Sequence, residues 1–160
     1  MKILLLRHGI AEDIAPDGTD FGRRLTAEGV AEMRREAKGM LKLGLRPGVI
    51  LTSPLVRAVE TAAIVAEALG IPDRVREEVR LGPGFCLAHL RTLALAHSEQ
   101  KAIMLVGHEP AMSTLVGQLI GGANVRMKKG GLAIISADEI GEGMGCLQAL
   151  LPPAALMVRG

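Results

Sequence analysis

Aromatic residues are almost absent from this chain: it has two phenylalanines, Phe21 and Phe85, and no tryptophan or tyrosine among its 160 residues. Proteins that bind single-stranded nucleic acids usually stack the bases on aromatic side chains, so we expect no nucleic-acid partner. Any hydrophobic core must be built from aliphatic residues and methionine. Hydrophobic residues make up 49% of the chain and charged residues 22%, which is typical of a globular protein rather than a disordered one.

Cysteines, excess charge and long apolar runs are scarce as well. Cys86 and Cys146 stand alone, without the spacing of a metal or redox site, which favours a reducing, cytoplasmic location. The net charge of +2 does not demand a polyanionic partner. The first apolar run stops at Arg7, too early for a signal peptide or a membrane span, so we expect no membrane partner. The length suits a single domain over residues 1–160.

The chain does contain an alternation of short apolar runs and amphipathic stretches. The predicted strands lie at 2–6, 49–52, 102–106, 132–136 and 146–151, with a short extended piece inside 73–81. The predicted helices run from Thr26 to about Leu43, from Ser53 to about Leu69, from Phe85 to His97, and from Pro110 to Gly121. Ser53 and Pro54 are the expected N-cap and first residue of the second helix. The pattern predicts an α/β fold: a single three-layer α/β/α domain with a mostly parallel central sheet.

Polar residues follow three of the predicted strands directly. Arg7 and His8 follow the first strand, Ser53 the second, and His108 the strand at 102–106. The carboxyl ends of parallel strands meet at one edge of the sheet, where α/β proteins bind ligands. Arg57 lies in the first turn of the second helix, and helical side chains lean towards the amino end, so its guanidinium can reach the same edge.

Two arginines, two histidines and helix amino termini at one sheet edge suit a phosphoryl group, whose oxygens match the guanidinium fork. Each residue has a structural alternative when taken singly. A histidine at a strand end is often only a hydrogen-bonded structural residue, and Arg57 alone would be a surface charge. A zinc site on His8 and His108 is not expected, because no further histidine or cysteine stands at ligand spacing. The joint placement favours a phosphate site.

Three segments resemble the signatures of the histidine phosphatase superfamily, also called the phosphoglycerate mutase-like family. They are Leu6-Arg7-His8-Gly9, residues 53–62 (SPLVRAVETA) and residues 106–110 (VGHEP). The small size, the Leu25-Thr26-Ala27-Glu28-Gly29 element and the late His-Glu-Pro resemble the compact SixA-type branch of phosphohistidine phosphatases. The likeness extends over nearly the whole chain, and the three segments in this order are highly specific.

The resemblance implies a phosphoglycerate mutase-like fold and a phosphatase that works through a covalent intermediate. His8 would take the phosphoryl group as a phosphohistidine, and water would then release phosphate. The implied catalytic and phosphate-binding residues around His8 are Arg7, Gly9, Ser53, Arg57 and His108. No metal or other cofactor is expected, because the arginines supply the positive charge.

The resemblance leaves the general acid open. Larger family members use a glutamate that protonates the leaving group, and no segment here clearly matches that motif. The candidate acids are Glu12, Asp13, Asp20, Glu78 and Glu109. A missing acid is tolerable if the leaving group is an imidazole, because a phosphoramidate bond is weaker than a phosphate ester. Protein phosphohistidine is therefore the favoured substrate; a small phosphorylated metabolite, or phosphate binding without turnover, are the alternatives.

Overall fold

The computed structural model describes residues 1–157, in which a six-stranded sheet carries helices on both faces. The strands are β1 (Lys2–Arg7), β2 (Val49–Thr52), β3 (Val75–Glu77), β4 (Ala102–Gly107), β5 (Leu132–Ser136) and β6 (Cys146–Leu151). The helices are α1 (Ala27–Lys42), α2 (Val56–Leu69), α3 (Leu87–Ala96), α4 (Ala111–Leu119) and α5 (Pro153–Leu156). Short 3₁₀ turns at Pro72–Arg74 and Val79–Leu81 flank β3.

The strand order is β3-β2-β4-β1-β5-β6. β1 pairs in parallel with β4, and β2 pairs in parallel with both β3 and β4. The antiparallel pairs, β1 with β5 and β5 with β6, lie towards one edge. The predicted mostly parallel α/β sheet is confirmed, and β1 lies beside β4 at its centre.

The sheet is buried on both faces because its central strands are almost entirely apolar. Ile3 and Leu5 of β1 pack in a cluster with residues of α3 and α4, whereas Leu4 and Leu6 pack with residues of α1, α2 and α5. Burying an aliphatic side chain of this size stabilises the fold by about 1.5–3 kcal/mol. Burial on both faces therefore fixes the position at which β1 ends and its polar residues begin.

Helix α1 begins as predicted and contacts the loop that leaves β1. Thr26 is its N-cap, and the Thr26 hydroxyl oxygen accepts the N–H of Gly29 at 2.9 Å. Gly29 lies so close to the Ile10 carbonyl that a Cβ atom at position 29 would lie 2.0 Å from that oxygen. The absence of a side chain at Gly29 is what allows α1 to dock against the loop.

Helix α2 begins later than predicted. Its N-cap is Leu55 and its first residue is Val56, so the expected Ser53 cap and Pro54 start are wrong. The hydroxyl of Ser53 accepts the N–H of Leu55 at 3.2 Å and also contacts His108, which places residues 53–55 in a turn ahead of the helix.

Two further helix starts also differ from the prediction. Pro110 is the N-cap of α4 rather than its first residue, and α3 begins at Leu87 rather than at Phe85. None of the helices in the described part of the chain has the length and apolar character needed to cross a membrane.

Candidate active site

The structure brings the polar residues that follow β1, β2 and β4 together at the carboxyl edge of the sheet. Pairing of β1 with β4 sets Arg7 opposite Gly107, so His8 and His108 leave the sheet side by side. Their ring centroids are 5.1 Å apart. The Nε atom of Arg57 lies 3.3 Å from Nε2 of His8. Residues separated by up to 100 positions in the sequence therefore share one site.

His8 is buried and its ring is oriented by the adjacent backbone. Its Nδ1 atom lies 2.7 Å from the Gly9 carbonyl oxygen, so Nδ1–H donates and Nε2 carries the lone pair. Burial lowers the pKa of His8 to about 3, against the opposing effect of the Gly9 hydrogen bond, and the positive charges of Arg57 and Arg7 act in the same direction as burial. The imidazole is therefore neutral at pH 7, and Nε2 can act as a nucleophile without a separate base.

Arg57 connects the nucleophile to the loop formed by residues 9–25. It is only 6% exposed, and its Nε–H group faces Nε2 of His8. Its terminal nitrogens donate to the Asp20 carbonyl oxygen at 2.8 Å and to Oδ2 of Asp20 at 3.2 Å. A guanidinium that binds a carboxylate in this way can bind phosphoryl oxygens with the same donors.

Arg7 is held by the backbone of the segment that leads into β5. Its terminal nitrogen donates to the Met127 carbonyl oxygen at 2.9 Å, and its backbone N–H donates to the Gly131 carbonyl oxygen at 3.0 Å. Burial lowers the pKa of Arg7, while the negative charge of Glu109 opposes that effect. The Arg7 Nε atom is buried and has no hydrogen-bond partner within residues 1–157.

A turn at residues 127–131 supports both polar residues at the end of β1. The N–H of Gly130 lies 3.1 Å from the Arg7 carbonyl oxygen and 3.0 Å from that of His8. Gly130 has a φ angle of +80°, a conformation that strongly favours glycine. Glu36 of α1 is buried behind this turn, where a Cβ atom on Gly130 would lie 2.6 Å from a Glu36 carboxylate oxygen. Burial, with a smaller contribution from Glu32, raises the pKa of Glu36 to about 8.

His108 is a second neutral imidazole in the site. Burial lowers its pKa to about 4, and Arg57 is the nearby charge that contributes most to this shift. Its Nε2 atom lies 2.7 Å from the hydroxyl oxygen of Ser53. Its Nδ1 atom is buried without a hydrogen-bond partner among the described residues, like the Nε atom of Arg7.

Thr61, which the sequence reasoning missed, joins the end of β1 to Arg57. Its buried hydroxyl accepts the N–H of Gly9 at 3.1 Å and donates to the Arg57 carbonyl oxygen at 2.7 Å. Thr61 lies four residues after Arg57, on the same face of α2, and this spacing could have indicated that the two residues lie near the same site. Because Thr61 binds the Gly9 N–H and His108 binds the Ser53 hydroxyl, direct phosphate contact by Gly9 or Ser53 would require those hydrogen bonds to break.

Two of the five candidate acids are held in their ionised form. The pKa of Asp20 is lowered mainly by its hydrogen bond with Arg23, with a further contribution from Arg57. The pKa of Glu78 is lowered mainly by Arg80, which donates to its two carboxylate oxygens at 2.7 and 3.0 Å. An ionised carboxylate at neutral pH has no proton to give to a leaving group.

The other three candidate acids have different surroundings. Glu12 accepts the N–H of Arg24 at 3.2 Å, and Glu109 accepts the N–H of Ser113 at 3.0 Å. Asp13 is exposed. In the part of the chain that the structure describes, no carboxyl group makes a hydrogen bond to either His8 or His108.

Comparison with known proteins finds a matching family model, similar sequences and similar structures. Residues 3–80 match the model of the histidine phosphatase superfamily, branch 1. An uncharacterized protein of Picosynechococcus sp. is 36% identical over 140 residues, 82% of each chain. The phosphohistidine phosphatase SixA of Escherichia coli is 29% identical over 149 residues, 89% of each chain. The structure of a protein histidine phosphatase SixA complexed with tungstate has a TM-score of 0.86 at 26% identity, covering 98% of this chain and 99% of that one.

The chain belongs to the histidine phosphatase superfamily. Its fold is the phosphoglycerate mutase-like α/β fold of the SixA structures. Membership in this superfamily supports a phosphatase activity for the protein.

Proposed function

We propose that this protein removes phosphoryl groups from protein phosphohistidine, through a covalent phosphohistidine on His8 and without a metal ion. The observation that carries the proposal is the state of His8: a buried, neutral imidazole whose Nε2 lone pair faces the guanidinium of Arg57 at 3.3 Å. The similarity to the phosphohistidine phosphatase SixA of Escherichia coli supports the same substrate class.

The first chemical step transfers the phosphoryl group to His8. Its Nε2 atom forms a bond to phosphorus while the P–N bond to the substrate imidazole breaks. The N–H groups of Arg57, Arg7 and His108 donate to the phosphoryl oxygens and stabilise the negative charge on these oxygens during transfer. In this proposal the guanidinium groups supply the positive charge that metal ions supply in other phosphoryl-transfer enzymes. In the second step a water oxygen bonds to phosphorus and the P–N bond to His8 breaks. The electron pair of that bond returns to Nε2, which restores the neutral imidazole, and the two protons of the water leave with the inorganic phosphate.

The proton balance favours an imidazole leaving group. A phosphorylated imidazole departs as neutral histidine when its second ring nitrogen carries a proton, which solvent supplies. The alcohol of a phosphate ester has no second basic atom and relies on an acid supplied by the enzyme. Asp20 and Glu78 have lowered pKa values and are ionised, so they are poor acids. The site is therefore better suited to a phosphoramidate than to an ester.

Two exposed apolar side chains lie in segments that adjoin the site. Phe21 follows the Arg57-binding residue Asp20 and is 53% exposed. Val79 is 79% exposed, in the segment where the N–H of Glu78 donates to the Thr52 carbonyl oxygen at the end of β2. In the proposed function these two side chains would contact the phosphorylated protein.

A substrate panel tests the choice of substrate. We expect kcat/KM for a histidine-phosphorylated protein to exceed that for phosphoserine, p-nitrophenyl phosphate and phosphorylated sugars by at least tenfold, measured as phosphate release. A clear preference for one of the small esters would instead identify a metabolite phosphatase. Tight phosphate binding without turnover of any compound would identify a binding module.

Labelling tests the covalent step. Protein quenched during turnover of a ³²P-labelled phosphohistidine substrate should carry a label that is stable in alkali and lost in acid. The His8→Ala variant should carry no label and show no turnover, because it lacks the accepting nitrogen. His97→Ala, at the end of α3, is the matched control and should be labelled normally. Turnover that persists in His8→Ala would contradict the mechanism.

A further inference from the structure

Ser53 has a fixed position between the end of β2 and His108. Its side chain is fully buried, and its hydroxyl oxygen accepts the N–H of Leu55 at 3.2 Å and lies 2.7 Å from Nε2 of His108. Its backbone is also held: the Ser53 N–H donates to the Val106 carbonyl oxygen at 3.0 Å, and the Thr52 hydroxyl donates to the Ser53 carbonyl oxygen at 3.0 Å. The hydroxyl therefore has little freedom to turn towards a bound phosphoryl group.

The single hydrogen of the Ser53 hydroxyl determines the tautomer of His108. Among residues 1–157, the acceptor in hydrogen-bond contact with this hydroxyl is Nε2 of His108, since the Leu55 N–H group is a donor. If Nε2 carried the imidazole hydrogen, the hydroxyl hydrogen would be buried without an acceptor. Such a loss is large enough to shift a tautomer equilibrium by roughly tenfold or more. The hydroxyl therefore donates to Nε2, and the hydrogen of the imidazole lies on Nδ1.

We infer that Ser53 is a positioning residue that locks His108 as its Nδ1–H tautomer, so that an N–H group rather than a lone pair meets the phosphoryl oxygens. This inference rests on the proposed phosphoryl transfer to His8. It assigns Ser53 a role that acts through His108 instead of direct contact with phosphate.

The two histidines then hold the same tautomer but use different ring nitrogens for their hydrogen bonds within the protein. His8 donates its Nδ1–H to the Gly9 carbonyl oxygen and presents the Nε2 lone pair, which can bond to phosphorus. His108 accepts from Ser53 at Nε2 and retains an Nδ1–H group that is buried and unpartnered within the described chain. With the hydrogen of His108 on Nε2 instead, Nδ1 would carry a lone pair, which in the proposed phosphoryl transfer would repel the phosphoryl oxygens rather than bind them.

The tautomer can be measured directly in the unmodified protein. In protein labelled with ¹⁵N-histidine and held at pH 7, we expect the Nδ1 signal of His108 in the range of a protonated ring nitrogen and the Nε2 signal in the range of an unprotonated one. The resonances that disappear in His108→Gln assign the ring. A protonated Nε2 signal in the wild-type protein would overturn the inference, whatever the enzyme's activity.

Variants at Ser53 connect the tautomer to catalysis. We expect Ser53→Ala to give a mixture of His108 tautomers and to lower kcat by roughly tenfold to a hundredfold, with little change in KM. Removal of a whole oxyanion donor can lower kcat by up to about a thousandfold, so the expected loss is smaller than that limit. Ser53→Thr keeps the hydroxyl and should restore both the single tautomer and most of kcat. Ser113→Ala removes another buried hydroxyl, one that binds the Met127 N–H, and should leave the His108 signals unchanged.

The outcomes separate this inference from the proposed function. A Ser53→Ala variant that binds phosphate more weakly while its His108 signals match those of the wild type would show direct phosphate contact and overturn the positioning role. A wild-type protein that shows the expected tautomer yet does not hydrolyse phosphohistidine would support the assignment of Ser53 and refute the proposed substrate.

Discussion

Arg7 and Arg57 bring the same guanidinium group to the site but are held by different parts of the molecule. Arg7 ends the central strand β1 and donates to the backbone carbonyl of Met127. Arg57 lies in the first turn of α2 and is bound by Asp20, whose side chain is 62% exposed in the loop 9–25. One cation is fixed by a neutral carbonyl, and the other by the carbonyl and the carboxylate of one residue.

The difference separates the two arginines by function. The charge of Arg7 is not neutralised by its carbonyl partner, so it contributes a constant positive potential to the site. The charge of Arg57 is partly neutralised by Asp20, and in the proposed mechanism an incoming phosphoryl group would replace that carboxylate at Nη2 of Arg57. Changes to the residues that hold Arg7 should therefore mainly alter the free energy of unfolding. Changes to the residues that hold Arg57 should mainly alter phosphate binding and kcat.

Replacement of Arg57 itself should have the largest effect. In Arg57→Lys a single ammonium replaces three directed donor nitrogens, so we expect kcat/KM to fall by roughly a hundredfold to a thousandfold. Steady-state kinetics on the preferred substrate measure this change. Arg35→Lys, on the exposed surface of α1, is the matched control and should behave like the wild type. Kinetics of Arg57→Lys within a factor of three of the wild type would show that Arg57 does not bind the reacting phosphoryl group.

Thr61→Val removes the link between Arg57 and the end of β1 while keeping the side-chain shape. The buried N–H of Gly9 loses its acceptor, which should lower the free energy of unfolding by about 1–3 kcal/mol and also lower kcat. Urea unfolding and initial rates measure the two effects. Thr92→Val provides the control, because Thr92 also bonds to the carbonyl four residues earlier but is exposed on α3. Equal losses in both variants would mean that Thr61 is an ordinary helix residue.

The buried Glu36 lies behind the 127–131 turn that holds Arg7, and the pH dependence of stability tests its role there. Because burial raises the pKa of Glu36 from 4.5 to about 8, the carboxyl keeps its proton in the folded state where the unfolded state has already lost it. The unfolded state binds fewer protons across this window, so the free energy of unfolding should fall as pH rises from about 4.5 to 8. Glu36→Gln should abolish this fall and be more stable at pH 8 by about 2–5 kcal/mol.

Urea unfolding at a series of pH values measures this effect. Glu67→Gln, an exposed glutamate on α2, is the control and should keep the pH dependence of the wild type. Persistence of the fall in Glu36→Gln would assign it to another titrating group.

The smallest effect is expected from Asp20→Asn. Loss of the carboxylate charge removes the anion that competes for Arg57, while the backbone carbonyl of residue 20 keeps its own hydrogen bond. Exposed ion pairs contribute about 0.2–1 kcal/mol, so inorganic phosphate should bind roughly two to five times more tightly. Isothermal titration calorimetry at pH 7 measures this change. Weaker phosphate binding would show that Asp20 orders Arg57 rather than competing with the substrate.

The sequence was most informative where the structure depends on short-range pattern and on one topological rule. Apolar runs identified β1 and β4, and the rule that parallel strands end at one edge brought Arg7, His8 and His108 together. The local cap pattern at Ser53 and Pro54 failed: the Ser53 hydroxyl accepts the N–H of Leu55 and contacts His108, 55 residues away, and α2 begins only at Val56.

The support of the site could not be predicted in the same way. Thr61 acts on Gly9 across 52 residues, and this contact exists only once α2 has docked beside β1. Asp20 was identified merely as one of several carboxylates, because its contact with Arg57 depends on the path of an irregular loop. Glu36 was not singled out in the sequence, and its burial depends on the packing of the 127–131 turn against α1.

The tight approach of Gly29 to the Ile10 carbonyl has a consequence for genetics. Any larger residue at position 29 must displace that carbonyl, and with it the first part of the loop that carries Asp20. In a saturation screen scored by enzyme output, this codon would therefore tolerate almost no replacement and would be counted with the active-site positions. Its intolerance would reflect the spacing between a helix and a loop rather than any contact with the reacting atoms.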